Sequence, residues 1–244
     1  MKAMILAAGL GTRLKPFTTN HPKALAEING KTLLQRNIEY LSGYGIKDVI
    51  INVHHYADQI TGLLKSKNNF GSNITISDES KELLETGGGL KKASWYFDND
   101  EPLFLMNVDI LTDMNLHKML EFHNDSKNIA TLAVCDRVTS RYFLFDQYSK
   151  LCGWRNLQLG KEIITRNANQ YFQKAFSGIH IISPAIFPYL KAGAGSVHPE
   201  KFSIVDPYLE IIKDFDIGGF DHTGAKLIDV GKPESLEAAA KLFA

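Results

Sequence analysis

Cysteine is scarce, net charge is nil and no long hydrophobic run occurs in this sequence of 244 residues. Cys135 and Cys152 stand far apart, without CxxC or Cys/His zinc spacing, so neither a disulfide framework nor a structural zinc is expected. A reduced, cytoplasmic setting fits that usage. Lys plus Arg (27) balance Asp plus Glu (27), and no global field favours nucleic acid or an anionic membrane as a partner. The opening MKAMILAAGLGTR is too briefly apolar for a signal-peptide core or a membrane span, so the mature chain is expected to start at Met1. Repeats and low-complexity linkers are also missing. The expectation is one domain over 1–244, of open oligomeric state.

Short runs rich in Ile, Val, Leu and Phe alternate with stretches of helical period, the pattern of an α/β sheet with helices on both faces. Strands are expected at Lys2–Ala8, Val49–Val53, Ile74–Ser77, Leu103–Asn107, Ala130–Cys135, Phe176–Ile182, Ile217–Phe220 and Ala225–Asp229. Helices are expected at Thr32–Leu41, Ala57–Leu64, Gly88–Tyr96, Leu116–His123, Ile204–Phe215 and Pro233–Phe243. The stretch 137–174 breaks this rhythm with hairpin-like pieces (YFLFD, KLCGWRN). It reads as a small β-rich insertion beside the sheet, either shaping a pocket or making a plain surface excursion.

Residues 1–26 contain Lys2, Arg13, Lys15 and Lys23 but no Asp or Glu. This local positive charge flanks a glycine turn, where backbone N–H groups can approach a ligand, and phosphate oxygens are its natural guest. Two nucleotide motifs fail here. The third glycine of a GxGxxG fingerprint is replaced by Leu14, and the Gly30-Lys31-Thr32 triplet has Leu25 where a P-loop needs glycine. NGK therefore reads as a turn before the next helix.

The segment LAAGLGTRLKPFTTNHPKAL, Leu6 to Leu25, resembles the opening signature of sugar-1-phosphate nucleotidyltransferases, LAAGxGTRLxPxTxxxPKxL, at every fixed position. The resemblance implies a Rossmann-like, mostly parallel sheet (the nucleotide-diphospho-sugar transferase fold). It also implies a turn through Ala8, Gly9, Gly11 and Thr12 that wraps nucleotide and phosphates. Arg13 would brace the triphosphate, and Lys23 would contact the α-phosphate and the sugar phosphate.

The LLETGGGLKKA segment precedes a helix whose bare N-terminal amides can receive polar groups. In the family this loop lies against the base around Glu85, Thr86 and Gly87. LFLMNVD ends in Asn107 and Asp109, and KLIDVGKP carries Asp229. Each Asp alone reads as a cap or turn residue, but together they match the family's NxD and DxGxP elements, which implies two carboxylates holding Mg²⁺. Arg13, Lys23 and Asp109 are the implied catalytic residues, and Asn107 joins the nucleotide set. Val108 and Lys232 depart from the common glycine and threonine. The sugar side is expected to draw on Gly153, Glu162, Ser177 and Gly178.

The implied reaction joins an NTP and a sugar 1-phosphate into an NDP-sugar and pyrophosphate. The acceptor phosphate, with a second pKa of about 6, is already ionised and needs no general base. Cations must screen the repulsion between two anions. No Ser/His/Asp or Cys/His arrangement is evident, and the His54-His55 pair reads as a surface or capping feature. The LETGGGL loop and compact length most resemble members that uridylylate N-acetylmuramate 1-phosphate; mannose- and heptose-1-phosphate guanylyltransferases are the alternative. No hexapeptide-repeat domain is expected. Arg141, Arg155 and Arg166 are candidate partners for an acceptor carboxylate. A turnover-deficient nucleotide-sugar-binding subunit is the rival of another class, and Leu14 disfavours an NAD oxidoreductase.

Overall fold

A computed structural model describes residues 1–97, 100–193 and 199–244. The chain opens with β1 (Lys2–Leu6), whose alternation sends Ala3 and Ile5 to one apolar cluster and Met4 and Leu6 to another. A strand buried on both faces needs helices on both sides. A hairpin of β2 (Glu27–Ile28) and β3 (Lys31–Thr32) follows, turning on Asn29 and Gly30, both at positive φ. The NGK segment is therefore a turn, and the Thr32 side chain caps α1 (Leu33–Gly43) by accepting from the Gln35 N–H.

Crossovers through helices then build the parallel block: β4 (Asp48–Val53), α2 (Ala57–Ser66), β5 (Asn73–Asp78), α3 (Glu85–Lys92) and β6 (Leu103–Asn107). Its strands stand in the order β6-β1-β4-β5, all parallel. Leu34, Ile38 and Leu41 of α1 with Ile60 and Leu64 of α2 cover one face, and Leu90 and Ala93 cover the other.

The second half adds β7 (Ile110–Thr112), α4 (Leu116–Ser126), β8 (Ala130–Cys135), β9 (Arg141–Phe145), β10 (Leu151–Asn156), β11 (Lys161–Ile164) and β12 (Phe172–Ile182). Then come α5 (Val205–Ile211), β13 (Ile217–Asp221), β14 (Leu227–Asp229) and α6 (Pro233–Leu242). β12 joins the halves, running antiparallel to β6 and β8 and, with its first residues, to β9. The sheet is thus mixed, with ten strands.

The 137–174 stretch is β-rich as expected, and β9, β10 and β11 join the sheet through the first residues of β12, which is long enough to outrun β6 and offer them an edge. One expectation changes. The expected strand at Ala225–Asp229 shortens to β14 and leaves the main sheet for an antiparallel pair with β7. That pair positions the site.

A satellite core holds α6 near the first loop, with Leu14, Ile28, Leu33, Leu111, Val230 and Ala239 buried together. Each buried Leu or Ile contributes about 1.5–3 kcal/mol, so a few such side chains can anchor a ten-residue helix. No described helix is long and apolar enough to cross a membrane, and both cysteines are free, buried thiols.

Candidate active site

A cavity of about 440 Å³ opens at the carboxyl ends of β1, β4 and β6, where open α/β sheets bind ligands. Its floor is the turn after β1. Gly11 sits at φ 61°, and a β-carbon there would fall 2.9 Å from Thr18 Cγ2 and 3.0 Å from Lys23 Cβ. Only glycine lets this turn fold onto the segment that carries Lys23. Thr18 Oγ1 donates to the Gly11 carbonyl (2.9 Å) and Leu14 N–H to the same oxygen (2.8 Å), which fixes the loop. Ala8, Gly9, Thr12 and Arg13 line the same cavity.

Two strands far apart in sequence bring the aspartates together. Asp109 follows β6, and the β7/β14 pairing sets Asp229 opposite Ile110, with Val230 N–H donating to the Asp109 carbonyl at 2.8 Å. Lys23 forms an ion pair with the Asp109 carboxylate, both side chains being largely buried. Burial first, then the Asp109 charge, raises the Asp229 carboxyl above the usual range, against the pull of Lys23 and Arg13. Asp229 Oδ1 is buried with no hydrogen-bond partner among the described residues. An orphaned carboxylate oxygen beside a second carboxylate suits a hard divalent cation, which takes one or two carboxylates and completes its shell with water and phosphate oxygens. No group of three His, Cys, Asp or Glu side chains suited to a metal occurs among the described residues, so protein ligands alone would not saturate an ion here.

Gly231 links this pair to the floor. A β-carbon on it would lie 2.8 Å from Asp229 Oδ1 and 2.9 Å from Arg13 Nη2, so the guanidinium and the carboxylate converge on one point. Asn107, Glu85 and Thr86 complete the lining, with Glu85 in the left-handed region at φ 63°. The ETGGGL glycines do not precede the helix but lie in the first turns of α3, and its start is not bare: the Gly87 and Gly88 N–H groups donate to the Phe202 carbonyl at 2.9 and 3.2 Å. Gly87 itself packs beneath the Phe202 ring and is not among the lining residues.

Residues 2–143 match the family model described as nucleotidyl transferase. The chain belongs to that family.

The mannose-1-phosphate guanyltransferase of Yarrowia lipolytica is 28% identical to this member of the family over 248 residues. That alignment takes in 100% of this chain, which spans only 64% of the yeast protein's length. The N-acetylmuramate alpha-1-phosphate uridylyltransferase of Caulobacter vibrioides is 41% identical over 109 residues, covering 44% of this chain and 45% of that one. Among solved structures, HddC from Yersinia pseudotuberculosis, complexed with GMP-PN, matches with a TM-score of 0.75 and 27% identity. The match covers 100% of this chain and 99% of HddC.

The residues expected on the sugar side stand differently. Gly178, at φ 74°, marks the register shift where β12 passes β8, and a β-carbon there would fall 3.0 Å from Asn107 Nδ2. It backs directly onto a lining residue. Ser177 is fully buried and pairs with His222 Nε2 (2.7 Å) and Cys135, away from the cavity lining. Gly153 lies within the β10/β11 pair, its missing β-carbon 2.2 Å from the Ile163 carbonyl, and Glu162 forms an ion pair with Arg155. Neither lines the cavity. Arg166 is engaged at the end of α5, donating to the Ile212 and Phe215 carbonyls and to Asp216 (2.6 Å). Arg155 reaches Glu162 and Gln173. His54 accepts a local role, with Nδ1 2.6 Å from the Glu79 carbonyl.

Sequence reasoning missed Asn52, Ser203 and Gly231 as lining residues. Asn52 carries a readable signal, a polar residue at the carboxyl end of an apolar strand, whereas Ser203 carries none.

Proposed function

We propose that this chain is a sugar-1-phosphate nucleotidyltransferase that forms an NDP-sugar and pyrophosphate from an NTP and a sugar 1-phosphate. The observation that carries the reading is the meeting of Asp109 and Asp229, far apart in sequence, beside Lys23 and Arg13 in one glycine-floored cavity.

Asp109 and Asp229 would hold Mg²⁺, which when bound supplies positive charge between mutually repelling phosphates. The chain's own groups do the rest. The turn through Ala8, Gly9, Gly11 and Thr12 receives the phosphates on backbone N–H groups. Arg13, set against Gly231, neutralises charge on the pyrophosphate end, and Lys23, held by Asp109, faces the α-phosphoryl oxygens and the incoming sugar phosphate. Glu85, Thr86 and Asn107 bound the nucleoside. Catalysis then rests on positioning and electrostatics, with a nucleophile that is ionised before it binds.

For the base, the guanylyl reading now stands ahead of the N-acetylmuramate uridylyl reading that the loop and length first suggested. The guanyltransferase relative aligns along all of this chain, and the structurally similar HddC was crystallised with GMP-PN. The uridylyltransferase likeness is higher but covers under half of the chain.

The test is a matrix of GTP, UTP, ATP, CTP and dTTP against mannose 1-phosphate, a heptose 1-phosphate, glucose 1-phosphate and N-acetylmuramate 1-phosphate, read by pyrophosphate release. GTP with a mannose or heptose 1-phosphate is expected to lead. UTP with the muramate leading would reverse the order. Nucleotide binding with no pyrophosphate from any pair would favour the turnover-deficient binding subunit.

A further inference from the structure

The three consecutive glycines of the ETGGGL segment, all within α3, have three different neighbours. A β-carbon on Gly87 would meet the Phe202 ring at 2.5 Å, and one on Gly88 the Glu200 carbonyl at 2.1 Å. On Gly89 it would meet Glu79 Oε1 at 2.8 Å and Asn52 Nδ2 at 2.9 Å. The first two admit the strap 200–204 over the turn. The third admits a buried polar pair that the proposed chemistry does not use.

Glu79 is fully buried just beyond β5. Its Oε1 accepts from Asn52 Nδ2 at 2.7 Å, and its Oε2 accepts from the Leu84 N–H at 3.1 Å, at the entrance to the base-facing turn. Asn52 Oδ1 in turn accepts from the Ala7 N–H at 2.7 Å, at the entrance to the phosphate-facing turn. Three hydrogen bonds thus run without a break from one loop to the other. Main-chain pairing fixes the middle of this path, since Glu79 N–H donates to the Val53 carbonyl at 2.7 Å. A buried carboxylate is costly unless its oxygens are satisfied, and here both oxygens accept protein donors. Asn52 lines the cavity, but both of its polar atoms are engaged within the chain.

We propose that Asn52 and Glu79 are positioning residues that set the separation between the phosphate-facing turn (7–13) and the base-facing turn (83–87), and so govern nucleotide affinity independently of the sugar side. This inference rests on reading the cavity as the nucleotide site. Gly89 belongs to the same device, because any side chain there would push the pair apart.

The test uses Gly89→Ala, Glu79→Gln and, as a control, Gly62→Ala, whose β-carbon in α2 meets nothing within 4 Å. Calorimetric titration with GTP and UTP gives nucleotide Kd, initial rates give the sugar 1-phosphate KM, and thermal melts report folding. Gly89→Ala and Glu79→Gln are each expected to weaken nucleotide binding about tenfold, the scale of one disturbed buried hydrogen bond. The sugar 1-phosphate KM should stay within about twofold, and Gly62→Ala should bind as the wild type does. Gly89→Ala adds one methyl to a helix that intrinsically favours alanine, so it decides the matter even where Glu79→Gln fails to fold. Unchanged nucleotide Kd in Gly89→Ala, or equal losses for nucleotide and sugar phosphate, overturns the positioning role alone. Wild-type protein that binds no nucleotide overturns the parent reading and the positioning role with it.

Discussion

The groups proposed to meet the phosphates and those proposed to meet the sugar are held on different principles. In the cavity, Gly11, Lys23, Asp109, Asp229 and Gly231 are placed by backbone: a left-handed turn, a strand end and a two-strand ladder. Outside its lining, the polar groups of Ser177, Glu162, Arg155 and Arg166 are engaged with neighbouring protein groups. Phosphate transfer demands charges at fixed positions, and a rigid main chain supplies them.

The sharpest way to break this contrast is to neutralise the aspartates. Asp109→Asn and Asp229→Asn are each expected to lower divalent-dependent turnover by about a thousandfold, in line with loss of a main electrostatic element, while melting near the wild type. Turnover retained in both variants would remove the carboxylates from the chemistry. Next in size is a matched pair of lysines. Lys23→Ala should reduce kcat/KM by about a hundredfold and exposed Lys15→Ala by under about twofold. Equal losses would mean that general positive charge, and not the placement beside Asp109, matters.

A third measurement probes the seam between the halves. Burial depresses His180 on β12 to about 3, with Nδ1 2.9 Å from the Tyr208 hydroxyl, and depresses His123 on α4 to about 4. In the unfolded chain both titrate near about 6.5. Between those values the unfolded chain takes up protons that the native one refuses. Stability is therefore complete above about pH 6.5 and lost on acidification, by up to about 1.4 kcal/mol per pH unit for each imidazole. Urea midpoints at pH 7.5 and 5.5 should separate in the wild type and separate less in His180→Gln. Parallel behaviour would place the sensitivity elsewhere. The smallest effect is expected from Glu162→Gln, within about threefold in sugar 1-phosphate KM and none in nucleotide Kd. A large loss would show that β11 closes on the acceptor and erase the contrast drawn above.

What could be read from the sequence follows the same division. The signature from Leu6 to Leu25 and the strand-end Asp109 are contiguous, so their spacing carries their geometry. Asp229 was legible as a neighbour of Asp109 only through the family resemblance, since the ladder with β7 that places it depends on pairing across more than a hundred positions. The ETGGGL glycines were visible, yet their cause was not: their neighbours Phe202, Glu200, Glu79 and Asn52 have no spacing relation to them. The extension of the sheet by β9, β10 and β11 was hidden for a simpler reason. Alternating hairpin residues look alike whether they lie beside a sheet or continue it.

The satellite core under α6 ties together two turns that border one cavity. Leu14, just past the glycine turn, and Val230, just past Asp229, are buried in the same apolar cluster as Ala239. Hollowing that cluster from either side would therefore loosen both turns at once.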